Sequence, residues 1–290
     1  MNSGILIAPP RPGGAIGRSF KAGDVERMML ALLMGGLGLI VGSFLGLVSL
    51  RLPRGEGVML GRSRCGGCGR PLKPWRMVPV VSWALSRGKC SDCGAVIPVR
   101  YPLIELAAGA VGAWAALCFP DPAHALATAV LGWQLLLIAV IDAEHFWLPD
   151  ALTLPLFLSG LFAAVALDPA NVQSGLQWSL VGPLTAPLIG AAVGFGGLWL
   201  LAFLYRRVRG RDGLGGGDPF LLGAIGAWVG WAGLPSVLLW ASAAGLAVVA
   251  AKLVLRRPVT SADRLPFGVF LAVGAWMTWL YGPLGLGALG

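Results

Sequence analysis

Two sets of residues in this chain have the types and spacing to do chemistry. The first is a pair of acids. In GLGGGD, residues 213–218, Asp218 stands where a basic loop meets an apolar run, and Asp142 closes another apolar run in IDAEHFWLPD, residues 141–150. An acid at a membrane edge is costly and usually marks function. Two carboxylates within hydrogen-bond reach of each other share a proton, because both cannot easily ionise. One then acts as base on a water, while the other donates a hydrogen bond to a peptide carbonyl and protonates the leaving amine. Those roles describe an aspartyl-type hydrolase at a bilayer face. Gly213, Gly215, Gly216 and Gly217 allow positive φ and let a substrate backbone approach the acid.

Other readings of the same residues stand beside this one. Glycine-rich loops cradle phosphates, but GLGGGD lacks the Lys-Ser/Thr ending of a P-loop and the dinucleotide spacing. Acids also cap helix N-termini, a role that suits Asp150 after Leu148-Pro149 at the start of an apolar run. Glu144 and Asp212 are further acids near run ends. Glu105, one turn into the run of RYPLIELAAG, is expected to pair with a basic residue or to face a cofactor. His124 and His145 show no metal-ligand spacing.

The second set is thiol chemistry. CGGC (Cys65, Cys68) and CSDC (Cys90, Cys93) are Cys-x-x-Cys knuckles separated by 21 residues, followed by Gly69 and Gly94. Such spacing gathers four thiolates around one tetrahedral ion, typically zinc. Two disulfides are the competing reading, disfavoured in a reducing cytoplasm. The metal is expected to be structural, supplying folding energy to a segment too short for a large core. Cys118, alone in an apolar run, reads as a small buried hydrophobe.

The elements that must position these residues are apolar helices. Of 290 residues, 57% are hydrophobic and 12% charged, which marks a polytopic membrane protein. Runs long enough for roughly 20 residues of helix fall at 28–50, 102–119, 124–141, 149–167, 180–204, 218–233, 235–255 and 266–282. The expectation is all-α, with about eight transmembrane helices and a small zinc-knuckle domain. Pro235 separates the sixth run from the seventh, and seven spans with a re-entrant piece is the alternative. The division is a disordered tail (1–27), a first span (28–50), a cytoplasmic four-cysteine domain (51–100) and a membrane core (101–290).

Charge sets the orientation, since Lys and Arg stay on the cytoplasmic side. Ten of the 22 basic residues lie in 51–100, four in 206–211 and four in 252–264, and none in the connections near 119–124, 168–179, 233–235 and 283–290. With eight helices every basic connection shares one side, together with Asp142 and Asp218. The tail, with Arg11, Arg18, Lys21 and Arg27, is the exception. The net charge of +9 reflects this topology and anionic headgroups, so the bilayer is the expected partner and nucleic acid is not. Trp133, Trp147, Trp228 and Trp231 read as interfacial anchors.

The chain resembles the type IV prepilin peptidases, bifunctional leader peptidases and N-methyltransferases. The resemblance rests on VGSFLGLVSLRLP (41–53), the paired knuckles, MVPVVSW (77–83), RGKC (87–90), RYPLIE (100–105), IDAEHFWLPD and GLGGGDPFLL (213–222), in that order. It implies that Asp142 and Asp218 are a catalytic dyad, with Gly215 and Gly217 in a Gly-x-Gly-Asp motif. It implies cleavage after a glycine in the basic leader of pilin or pseudopilin precursors, at the cytoplasmic face of a bacterial inner membrane. Methylation of the new amino terminus from S-adenosylmethionine follows, with Gly88 and Glu105 as the matched positions. The chain departs at Gly46, where the family often has Asn, and at Phe220, where it usually has Lys. A transporter using its acids for protons would need inverted repeats or acids in span interiors; no repeat is visible, and these acids lie at run ends.

Overall fold

The computed structural model describes residues 22–57, 63–169, 181–210, 213, 215–256 and 265–284. Within them every regular element is helical, and only two isolated β-bridges occur. In hydrocarbon the backbone must satisfy its own polar groups, which a helix does within one segment.

The chain divides into two units, one ending at Leu137 and the other beginning at Ile138. In the first, α1 (Ala22–Arg51) leads through a short 3-10 turn into the cysteine segment, which contains a second 3-10 turn (Pro74–Met77) and α2 (Val81–Leu85). Then come α3 (Arg100–Cys118) and α4 (Pro122–His145), whose last two turns belong to the second unit. Helix α4 starts at Pro122 behind Asp121, whose carboxylate accepts the His124 N–H at 2.9 Å, a capping residue followed by proline in the first turn. His124 also bonds Asp121 through Nδ1 at 2.7 Å, holding that carboxyl below its usual range.

Small residues bring α1 and α3 together. A Cβ on Gly38 would run into the Ala108 carbonyl, one on Gly42 would lie 2.6 Å from Glu105 Cα, and one on Gly112 would meet the Met34 carbonyl. Where lipid gives no hydrophobic drive between helices, such close backbone approach supplies the attraction.

The second unit holds α5 (Asp150–Ala166), α6 (Val181–Arg209), α7 (Asp218–Val254) and α8 (Phe267–Tyr281). Gly190 of α6 and Gly226 of α7 each face the other's carbonyl, and a Cβ on Gly194 would stand 2.5 Å from the Leu222 carbonyl. Helix α7 is not one rod. Gly230 has φ 67 and ψ 173, a conformation open essentially to glycine alone, and the chain turns back there. Leu148 touches both the Gly217 and Gly268 positions, and Trp228 meets Trp279 edge-on at 5.3 Å, so the first arm runs alongside α8 in the same direction. In the second arm, Gly233 faces Thr278, Val237 faces Gly274 and Gly245 faces Phe270, which is the opposite direction.

Several sequence expectations are corrected. The break between the sixth and seventh runs falls at Gly230 rather than Pro235, because the turn needs a residue free of Cβ strain, whereas Pro235 is accommodated near the start of the second arm. The tail's residues 22–27 are helical and extend α1; residues 1–21 lie outside the described residues, as does Asp212. Helix α6 runs to Arg209, past the apolar run, with Arg206, Arg207 and Arg209 in its last turn, where cations suit the helix dipole. Trp133 and Trp228 are buried core residues, not interfacial anchors: their indole N–H groups donate to the carbonyls of Ala108 (2.9 Å) and Leu156 (2.8 Å). Trp147 and Trp231 remain exposed. Among the described residues five helices are long and apolar enough to cross a membrane, namely α1, α3, α4, α6 and α7, while α5 and α8 are shorter.

Candidate active site and metal centre

The candidate metal centre is built from two copies of one turn. In each knuckle the first cysteine's carbonyl accepts an N–H from the glycine four residues on, Gly69 to Cys65 at 2.9 Å and Gly94 to Cys90 at 2.8 Å. The first cysteine's own N–H donates to Arg70 O in one knuckle and Ala95 O in the other. Gly69 and Gly94 both have positive φ (68 and 73), as tight knuckles require. The Gly67 N–H points at Cys65 Sγ, 3.4 Å away. All four sulfurs lie within 4.8 Å of one another, and Cys65 and Cys93 are 3.7 Å apart. A tetrahedron of thiolates on one zinc has edges of about 3.8 Å, so the four sulfurs fit a single metal ion. The amides of Cys68 and Gly67 hold the Cys65 thiol down at about 6. The Ala95 amide acts in the same sense on Cys93, but burial and the neighbouring thiols push that group up to about 12. Thiols this close resist a second negative charge, a conflict that a divalent cation removes. Arg76 clamps the second knuckle through a bidentate pair to Asp92 at 2.7 and 3.1 Å, holding the Asp92 carboxyl below its usual range.

Next to this segment, Glu105 is buried in α3 and accepts the Val80 N–H at 2.7 Å. Its partner is thus a backbone amide rather than the basic residue expected. Val80 has φ 60 and ψ −50, closed by Val81 N–H to Pro79 O. This is the strained hand of the γ-turn, uncommon for a β-branched residue. Gly88, at φ 67, packs under Trp83, whose Nε1 donates to Ile97 O at 3.0 Å.

In the second unit, Asp142 lies in the last turn of α4 and Asp218 is the first residue of α7. Both are buried, each 5% exposed. Asp218 is locked in a reciprocal turn: Gly215 N–H donates to its Oδ2 at 2.9 Å, and its own N–H returns to Gly215 O at 3.2 Å. Asp142 Oδ2 accepts the Val269 N–H at 3.1 Å, an anion set against the N-terminus of α8. Leu148 backs both acids. A Cβ on Gly217 would lie 2.6 Å from Leu148 Cβ, and one on Gly268 would lie 2.9 Å from Leu148 Cδ1 and 2.8 Å from Asp142 Oδ2. The structure therefore gathers Asp142, Asp218, Gly215 and Gly217 at one place. Leu148, Gly268 and Val269 were missed from sequence; Gly268, opening the last apolar run, was the one available signal. Asp150 occupies the first turn of α5, where an acid suits the helix dipole as expected.

These features describe a helical protein with several membrane-capable helices, a four-cysteine cluster able to hold a metal ion and two buried acids at helix termini. Comparison with known proteins narrows the class. The Bacterial Peptidase A24 N-terminal domain matches residues 37–119, and the Type IV leader peptidase family matches residues 129–250. Proteins named prepilin leader peptidase/N-methyltransferase are 38% identical over 271 residues in Burkholderia pseudomallei (85% of this chain, 84% of the relative). In Pseudomonas aeruginosa the identity is 36% over 269 residues (85% and 88%), and in Dichelobacter nodosus 35% over 276 residues (86% and 91%). No solved structure matches the chain. The chain belongs to the type IV leader peptidase family and is an enzyme with the peptidase and N-methyltransferase activities of that family.

Proposed function

We propose that the protein removes the basic leader of type IV prepilin or pseudopilin precursors at the cytoplasmic face of the inner membrane, with Asp142 and Asp218 as the catalytic pair, and then methylates the new amino terminus. One observation carries this reading. Two acids 76 positions apart are buried around one leucine, each held through a single carboxylate oxygen by a backbone amide. That leaves one oxygen on each for a water and a scissile carbonyl. The ionised member takes a proton from water, which attacks the carbonyl carbon. The protonated member hydrogen-bonds the developing oxyanion, and a proton then passes to the leaving amine. Helix capping accounts for the bond from Val269 to Asp142, but not for burial of a second acid beside it.

A pilin precursor, with a basic leader followed by an apolar helix, presents its cut site at the membrane edge. Eight apolar helical segments among the described residues, counting the two arms of α7, are consistent with a topology in which the basic connections and both acids share the cytoplasmic side. Zinc is the proposed occupant of Cys65, Cys68, Cys90 and Cys93, as a structural ion. S-adenosylmethionine, when bound, supplies the methyl group. For this second step Glu105 and Gly88 are the proposed residues, supported by the strained turn at Val80 that Glu105 holds.

The test is incubation of purified protein with a precursor and S-adenosylmethionine, followed by mass spectrometry. The expected products are a shortened chain and the same chain carrying one methyl group. Asp142→Asn and Asp218→Asn should each abolish shortening while the protein still inserts in the membrane. Normal cleavage by either variant would remove the dyad assignment.

A further inference from the structure

Beside the acids, α5, α6 and α7 enclose an open groove of about 500 Å³. Its walls are apolar, from Phe157 on α5, Phe195 on α6 and Phe220 on α7, and Asp150 stands with them as an exposed acid. Among the described residues the Asp150 carboxylate has no ion pair. Phe220 rests on Phe195, with ring centroids 5.0 Å apart, so no cation occupies that wall; a lysine at 220 would bring its ammonium into the same groove as Asp150.

Position adds to chemistry. Asp150 follows Leu148 by two residues, and Leu148 is the residue against which Gly217 packs. Asp150 also shares the groove with Phe220, two residues after Asp218. Both are first residues of their helices, so the groove runs from the level of the two acids along α5 and α7.

We propose that this groove receives the apolar helix of the precursor and that Asp150 is a specificity-determining residue, reading a positive charge on the leader just before the cut. This inference rests on the function proposed above. An apolar segment in the groove puts its polar end at the face where Asp150 and Asp218 begin their helices. A negative side chain beside an otherwise apolar cleft selects a cation there and disfavours an anion, which is how rim charges confer specificity. An acyl chain is the competing occupant of a cleft that faces lipid.

A charge exchange tests the proposal. Full-length protein in lipid nanodiscs is given two precursors, one with its natural basic leader and one in which the leader residue nearest the cut is changed from Lys to Glu. Wild-type protein should cleave the first with kcat/KM about tenfold above the second, mainly through KM. Asp150→Lys should invert that preference, and Asp150→Asn should flatten it. Binding of the two precursors to the Asp218→Asn protein, with and without Asp150→Lys, reads the same preference without turnover. Equal loss on both precursors would show a purely structural role for Asp150. Unchanged preference would leave the groove to lipid. Either result overturns the inference while leaving the peptidase reading standing. Failure of the wild type to cleave the basic-leader precursor would overturn both.

Discussion

The cysteine segment and the aspartate site hold ionisable groups in opposite ways. In the first, four thiols are gathered by turns of a few residues, each closed by its own backbone hydrogen bonds, and a metal ion would remove the remaining conflict between their charges. In the second, the acids are fixed by amides, Gly215 three residues from Asp218 and Val269 127 residues from Asp142, and the helices do the gathering. The knuckles are thus locally determined and suited to an ion, while the acids depend on the packing of α4, α7 and α8. A change in one region should leave the other's signature intact.

The largest separation should come from the acids. Asp142→Asn or Asp218→Asn should lower leader cleavage by about 10³-fold or more, with metal content unchanged and methylation of an already shortened precursor retained. Loss of metal from either variant, measured by elemental analysis, would break the separation. Next come the glycines behind the acids. Gly217→Ala and Gly268→Ala add a Cβ within 3 Å of Leu148, and Gly268→Ala also crowds Asp142 Oδ2; displacing a reacting group by about 1 Å costs on the order of 10²-fold. Gly216→Ala, which meets nothing within 4 Å, should be nearly silent in the same kinetic assay.

The opposite disturbance should be milder for cleavage. Cys65→Ser or chelation should release the metal and open the segment 63–98 to proteolysis, while cleavage falls less than about tenfold, since structural zinc contributes folding energy rather than chemistry. Glu105→Gln replaces the charge-assisted bond to Val80 with a neutral one of about half the strength, and should slow methylation several-fold without touching cleavage; product ratios in the mass spectrum report it. The smallest effect belongs to Arg76 and Asp92. A carboxyl held below its ordinary range contributes stability that is present above the unfolded value, about 3.9, and lost only as pH falls through the lowered one. Asp92→Asn should therefore differ from wild type by a constant small amount in thermal unfolding from pH 5 to 8, and a difference that grows across that window would contradict the ion pair's role.

The same contrast explains what the sequence made legible. Cys65 to Cys93 could be read because each knuckle is closed by neighbours four or five residues away, and the Gly215–Asp218 turn for the same reason. Asp142 could be singled out as an acid after an apolar run. Its amide partner lies on the last helix, and no spacing rule connects the two. Trp133 and Trp228 were misplaced because hydropathy cannot distinguish an indole facing headgroups from one bonded to a carbonyl on the next helix. Pro235 drew the break toward itself as the stronger helix breaker, yet the turn required a positive φ, which proline cannot adopt.

That turn also sets a length. The first arm of α7, Asp218 to Val229, is 12 residues, or about 18 Å at 1.5 Å per residue, less than the roughly 30 Å hydrocarbon thickness. Gly230 is therefore the fixed end of a ruler with Asp218 at its other end. A Cβ on Gly230 would meet nothing beyond its own stretch of chain within 4 Å, so the left-handed torsion, not a lack of space, is what calls for glycine there. One residue inserted between them would advance Asp218 by about 1.5 Å and swing it roughly 100° around the helix, away from Asp142. The register of this short arm fixes the alignment of the two carboxylates.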